Sequence, residues 1–89
     1  MKYVIEGFQI NADNLEIANH KLELAKKEFA KSELKGLVKS NLKQRMIQSL
    51  INGIDETGKI ADGLYINLIV KDNKVYRQRG LFSQFENKL

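Results

Sequence analysis

The most constraining feature of this sequence is an apolar stripe with helical spacing in its first half. Its members recur at steps of three and four residues, and they are Leu15, Ala18, Leu22, Ala25 and Phe29. Residues at this spacing lie on one face of an α-helix, where they can pack into a core. Asp13, followed by Glu16 at capping-box distance, predicts where this helix begins, and the pattern continues to about Lys31.

The same stripe has heptad spacing, which allows a second interpretation. Heptads can pair helices of two chains, but two heptads are too short for an independent coiled coil. Packing within one chain is therefore the favoured interpretation, and self-association stays open.

A second helix is predicted after a break between residues 32 and 41. Ser40 or Asn41 can cap its first turn. Gly53 is expected to take the left-handed conformation that closes a helix. The apolar face of this helix consists of Leu42, Met46, Leu50 and Ile51.

Strand-forming residues lie on both sides of the helical pair. Residues 3–10 predict a first strand, with a bulge at Gly7. Residues 64–70 predict a second strand, which a two-residue turn at positions 72 and 73 joins to a third over residues 75–79. The turn would pair Val70 with Val75.

In the same hairpin, Ile69 is expected to pair with Tyr76. After it, apolar residues recur at helical spacing and predict a short helix or packed tail, with Phe82, Phe85 and Leu89 on one side. Together the segments predict a single α+β domain over residues 1–89, in the order β-α-α-β-β followed by that tail. We expect the strands to form one antiparallel sheet covered by the helical pair.

The composition excludes several classes of protein. The chain has no cysteine, so disulfides, thiolate metal sites and cysteine nucleophiles are ruled out, and a cytoplasmic location is predicted. The longest apolar run, residues 64–70, is far shorter than the roughly 20 residues of a spanning helix, so no membrane association is expected.

The chain carries a net charge of +4 from 15 Lys and Arg against 11 Asp and Glu. This charge favours acidic or phosphate-bearing partners only mildly. Abundant Lys, Ile and Asn without Pro or Trp also indicates an AT-rich genome, which suggests a bacterial, phage or plasmid protein.

One segment matches a phosphate-binding motif superficially. Residues 53–59 share the glycine and lysine spacing of a P-loop, but Ile60 replaces the Ser or Thr that binds magnesium. Asp55 and Glu56 place negative charge where the phosphate would lie, and the segment follows a helix rather than a strand. We interpret it as a helix end followed by a turn.

Nor does the sequence predict a metal centre or a catalytic site. Glu16, His20 and Glu23 share one helix face, but they have no partner ligands elsewhere and fit a solvated surface better. The single histidine is not accompanied by a nucleophile and an orienting group. We expect no cofactor, no metal and no enzymatic activity.

The hairpin carries the most distinctive cluster of the sequence, a candidate nucleic-acid site formed by Lys71, Lys74, Tyr76, Arg77 and Arg79. Cations neutralise phosphates and tyrosine stacks on bases. Strand alternation divides the cluster, because Tyr76 lies on one face while Arg77 and Arg79 lie on the other. The favoured interpretation is a sheet edge protected from aggregation by its charges.

Small size and the lack of a catalytic set favour an interaction or regulatory protein that acts through protein contact. Tyr76, Phe82 and Phe85 are the predicted protein-binding residues. A DNA- or RNA-binding module that uses the basic hairpin is the alternative. No family resemblance supports either function.

Overall fold

The structure, a computed structural model, describes residues 1–31 and 40–77. Within these ranges the chain follows the order β-β-α-α-β-β-β, which confirms the predicted α+β class and corrects the predicted order. The elements are β1 (Lys2–Ile5), β2 (Phe8–Asn11), α1 (Leu15–Lys31), α2 (Ser40–Gly53), β3 (Gly63–Tyr65), β4 (Leu68–Lys71) and β5 (Lys74–Arg77).

Residues 3–10 form most of a hairpin instead of the single bulged strand that the sequence predicted. β1 pairs with β2 in antiparallel register, and Ile5 lies opposite Phe8. Glu6 and Gly7, between them, have φ angles of 55° and 86°. Two successive positive φ angles are typical of a type I′ turn, which reverses the chain in two residues. The turn escaped prediction because Glu is not one of the residues that usually precede Gly there.

The predicted second strand, residues 64–70, is also a hairpin. β3 and β4 pair antiparallel, with Tyr65 opposite Leu68, and residues 66 and 67 form the turn. Asn67 has a φ of 57°, a conformation that Asn tolerates better than most residues. The turn was not predicted because the almost uninterrupted apolar run over residues 64–70 has the pattern of one continuous strand.

The turn between β4 and β5 is confirmed. Val70 pairs with Val75 and Ile69 pairs with Tyr76, as predicted. Both turn residues, at positions 72 and 73, have positive φ angles of 53° and 63°.

The predicted single sheet is wrong for the described residues, where β1-β2 and β3-β4-β5 form separate sheets. Side chains from both helices bind the outer edge of β2, where another strand would pair. The Gln48 amide donates to the Gln9 carbonyl at 2.8 Å and accepts the Gln9 N–H at 2.9 Å. Lys21 Nζ donates to the Asn11 carbonyl at 2.8 Å. These hydrogen bonds satisfy backbone groups that the sequence-based topology assigned to a neighbouring strand.

Helix α1 confirms the apolar stripe and corrects its cap. Asn14, rather than Asp13, caps the helix, because its Oδ1 accepts the Ile17 N–H at 2.9 Å. The stripe is buried apart from Leu15, which is 53% exposed. Since this face packs within the chain, it contributes to the core rather than to a coiled coil.

Helix α2 ends at Gly53 as predicted, but for a different reason. Gly53 is not among the residues with positive φ. A Cβ atom at this position would overlap the Tyr65 ring, so the glycine provides room for a side chain from β3. The predicted break before α2 falls mainly on residues 32–39, outside the described ranges.

The core joins both helices to both sheets. Its completely or almost completely buried large side chains include Ile10, Leu22, Phe29, Met46, Leu50, Ile60, Leu68 and Val70. Ile54 and Ile60 form an isolated β-bridge that closes the segment between α2 and β3. No helix in the described ranges is sufficiently long and apolar to span a membrane.

Candidate functional site

The predicted hairpin cluster is divided in the structure as strand alternation implied. Tyr76 lies opposite Ile69, whereas Arg77 lies opposite the buried Leu68. Side chains of successive strand residues point to opposite faces, so Tyr76 and Arg77 belong to different faces of the sheet. Arg79 and the tail residues Phe82, Phe85 and Leu89 lie outside the described residues.

The outer face of this sheet carries an apolar row that the sequence did not predict. Leu64 pairs with Ile69, and Ile69 pairs with Tyr76. We call these three residues the sheet row. Leu64 is 73% exposed and Tyr76 is 37% exposed, while the alternate residues of the central strand, Leu68 and Val70, are buried. The sheet row therefore lies on the face opposite the core.

The sheet row could not be found while residues 64–70 were interpreted as one strand. In a single strand, Leu64 and Ile69 point to opposite faces because they are an odd number of residues apart. The turn at residues 66 and 67 brings them into direct cross-strand register instead. An Asn in the middle of the apolar run was the only available signal for this turn.

Hydrogen bonds hold the β4-β5 turn against the preceding loop. The Asn73 side chain accepts the Ile60 N–H at 2.8 Å, and the Asp62 side chain accepts the Asp72 N–H at 3.0 Å. Side-chain bonds of this kind fix the turn relative to the core. The hairpin that carries Ile69 and Tyr76 of the sheet row is thus attached to the preceding loop.

The two lysines of the cluster lie on the same face as Tyr76. Lys71 and Lys74 are directly opposite each other at the end of the hairpin, an arrangement in which like charges repel. Asp62 and Asp72 lie at the same end and carry two negative charges. The charge of this end is therefore close to balanced, which weakens its attraction for phosphates.

The P-loop-like segment contains its own anion. The Asp55 carboxylate accepts hydrogen bonds from the Thr57 hydroxyl at 2.6 Å, the Thr57 N–H at 2.9 Å and the Lys59 N–H at 3.0 Å. These bonds, led by that of the Thr57 hydroxyl, lower the pKa of Asp55 below its ordinary value. Backbone donors that a P-loop offers to phosphate are used here by an aspartate, so the turn interpretation is confirmed.

The helix face with the three potential metal ligands is exposed. Glu16, His20 and Glu23 are all at the surface. Within residues 1–31 and 40–77, no group of three or more His, Asp or Glu side chains is placed to hold a metal ion.

A second surface, also unpredicted, lies along α2. It is a groove of about 440 Å³ between this helix and the turns of the two hairpins. We call it the α2 groove. The helix contributes Asn41, Gln44, Arg45, Gln48, Ser49 and Asn52, and the hairpins contribute the turn residues Gly7 and Ile66 together with Phe8 at the start of β2.

Most of the α2 positions in this groove follow helical spacing, as a polar stripe opposite the apolar face. Residue spacing predicted a role only for the apolar face of α2, because a polar helix surface is ordinarily solvated. Only the folded chain shows that two hairpin turns lie beside this stripe and form the other side of the groove.

Comparison with protein-family models, with curated proteins and with solved structures finds no match to this chain.

Proposed function

We propose that this protein is a non-catalytic interaction module, an accessory or regulatory factor that binds a protein partner through the sheet row. The observation that carries the proposal is the cross-strand alignment of Leu64, Ile69 and Tyr76 on the face opposite the core. Aromatic and aliphatic side chains grouped on a rigid surface are what protein interfaces use as anchors.

Two further features support this function over an enzymatic one. In the part of the chain that the structure describes, the sequence's one histidine is on the exposed face of α1, which does not favour it as the desolvated acid–base group of an active site. The hydrogen bonds between the preceding loop and the β4-β5 turn also support this function, because restraint of a surface before binding reduces the entropy lost on binding.

The test is recovery of a partner with a matched pair of variants. Leu64→Glu places a charge in the sheet row, and Val4→Glu places the same charge on the other sheet, at a position 70% exposed compared with 73% for Leu64. We expect tagged wild-type protein to recover a stoichiometric partner from the source organism. Leu64→Glu should reduce that recovery at least about tenfold, because burying an unpaired charge is costly.

Val4→Glu should leave recovery within about twofold of the wild type, and circular dichroism should show that both variants are folded. Analytical ultracentrifugation of the purified protein determines whether the partner is a second copy of the chain. Equal recovery with the two variants, or recovery of general chaperones alone, would contradict the proposal.

A nucleic-acid function has one specific observation in its favour. Lys71, Lys74 and Tyr76 share a face of the sheet, where cations and an aromatic ring can contact phosphate and base. Fluorescence anisotropy with single-stranded and duplex DNA, repeated at rising salt, tests this function. Binding that weakens steeply with salt and is reduced by Lys71→Gln and Lys74→Gln together would favour it over protein binding.

A further inference from the structure

The α2 groove has donor groups that the fold itself does not use. Gln48 is bound to Gln9, and the Ser49 hydroxyl donates to the Met46 carbonyl at 2.7 Å. Within the described residues, neither the Gln44 amide nor the Arg45 guanidinium forms a hydrogen bond or ion pair, and Arg45 is exposed. These two side chains are neighbours on α2, and both line the groove.

The charge of the groove has one sign. Helix α2 contains Lys43 and Arg45 and no acidic residue, and none of the described residues that line the groove is acidic either. The acidic residue next to the Gly7 rim is Glu6, whose Oε1 lies 3.1 Å from Lys26 Nζ. An anionic group in the groove therefore meets a guanidinium without a competing carboxylate in the lining.

Apolar side chains complete the surface. Phe8 and Ile66 lie on the hairpin side of the groove; Phe8 is buried at 7% exposure, so Ile66, at 37%, is the apolar side chain that a ligand can contact. A volume of about 440 Å³ is within the range of roughly 300–1,000 Å³ that is typical of ligand sites. Such a site suits a ligand with an apolar part beside a carboxylate.

We propose that the α2 groove binds an acidic peptide segment in which a carboxylate neighbours an apolar side chain. Arg45 binds the carboxylate through its planar pair of N–H donors. Gln44 donates to a peptide carbonyl, and Ile66 contacts the apolar side chain. The groove shares no residue with the sheet row, so the inference does not depend on the function proposed above.

Three capped hexapeptides serve as probes in an NMR titration of the whole protein. One alternates Leu and Glu, the second alternates Leu and Gln, and the third alternates Ser and Glu. We expect the Leu-Glu peptide to shift the amide signals of Gln44, Arg45 and Ile66. It should bind at least about tenfold more tightly than each of the other two, because a charge-assisted hydrogen bond and an apolar contact are both required.

A matched pair of variants distinguishes binding in the α2 groove from general electrostatic attraction of an acidic peptide to a basic protein. Arg45→Gln and Lys43→Gln each remove one positive charge from α2, but Lys43 lies over the Phe29 ring, 5.8 Å from its centroid, and is not part of the groove lining. Arg45→Gln should weaken the Leu-Glu peptide at least about tenfold. Lys43→Gln should weaken it less than about twofold, since an exposed charge outside the site is screened.

Three results would overturn the inference. One is an equal loss of affinity in the two variants, and another is the lack of any signal shift in the groove with the Leu-Glu peptide. The third is tighter binding of an oligothymidylate strand at the same amides, which would assign the groove to nucleic acid.

Discussion

Some residues in this protein have structural roles that residue type alone does not predict. Gly53 is at the end of a helix, where glycine usually allows a left-handed conformation, yet here it makes room for Tyr65. The Tyr65 hydroxyl donates to the Ala61 carbonyl at 2.5 Å, which keeps the ring in place. Asp55 similarly binds the backbone donors of its own turn.

A substitution at Gly53 tests this packing. Gly53→Ala should lower the free energy of unfolding by about 1–3 kcal/mol, because the added methyl group overlaps the Tyr65 ring. Helix propensity alone predicts the opposite sign, a gain of up to about 1 kcal/mol. Urea unfolding measures the difference.

The control for that measurement is the same substitution in a Tyr65→Ala background. Without the ring, Gly53→Ala should be neutral or stabilising. A stabilising effect of Gly53→Ala in the wild-type background would show that Tyr65 does not depend on the glycine.

At the scale of elements, hairpin turns and side chains at strand edges determine the topology. The β1-β2 hairpin and the three-stranded sheet stay separate in the described chain, and Gln48 and Lys21 bind the outer edge of β2. Edge strands with free backbone groups invite pairing with other strands. Side chains that satisfy those groups therefore protect the edge as well as attach it to the helices.

Removal of one of these side chains should open the edge. Gln48→Ala deletes both hydrogen bonds to Gln9 and is expected to cost about 1–2 kcal/mol. The Gln9 amide should also exchange with solvent faster, as hydrogen–deuterium exchange can measure. Gln44→Ala, one turn earlier on the same helix, is the matched control and should change stability by less than about 0.5 kcal/mol.

Unchanged protection of the Gln9 amide in Gln48→Ala would contradict this assignment. It would mean that water satisfies the edge of β2 equally well.

At the scale of the whole molecule, both helices and both sheets contribute to one core. The sheet row lies on the outer face of a sheet whose other face is part of that core. A chain of 89 residues has a total stability of about 5–13 kcal/mol. The stability lost when one buried core side chain is truncated is therefore a large fraction of the total. Truncation of an exposed side chain costs little.

The two faces of the C-terminal sheet should respond differently to truncation. Leu68 is completely buried, and Leu68→Ala should lower the free energy of unfolding by about 2–5 kcal/mol. Leu64→Ala should lower it by less than about 0.5 kcal/mol, because Leu64 is mostly exposed. Urea titration of both variants provides the comparison, and equal losses would show that the sheet row is part of the core.

The sequence by itself determined the helices and one hairpin. The stripe from Ala18 to Phe29 predicted α1 because helical periodicity depends only on residue spacing. The pairing of Val70 with Val75 followed from a turn whose residues favour positive φ. These features are local, so neighbouring residues were sufficient to predict them.

Only the tertiary structure decided how these pieces combine. The turns at Glu6-Gly7 and at residues 66 and 67 lack strong local signals, and they convert two predicted strands into hairpins. That change brings Leu64 beside Ile69, and it also places two turns next to α2 to form the groove. The sheet row therefore depends on a turn with a weak local signal, and the α2 groove depends on contacts between distant segments, which residue spacing within one segment does not encode.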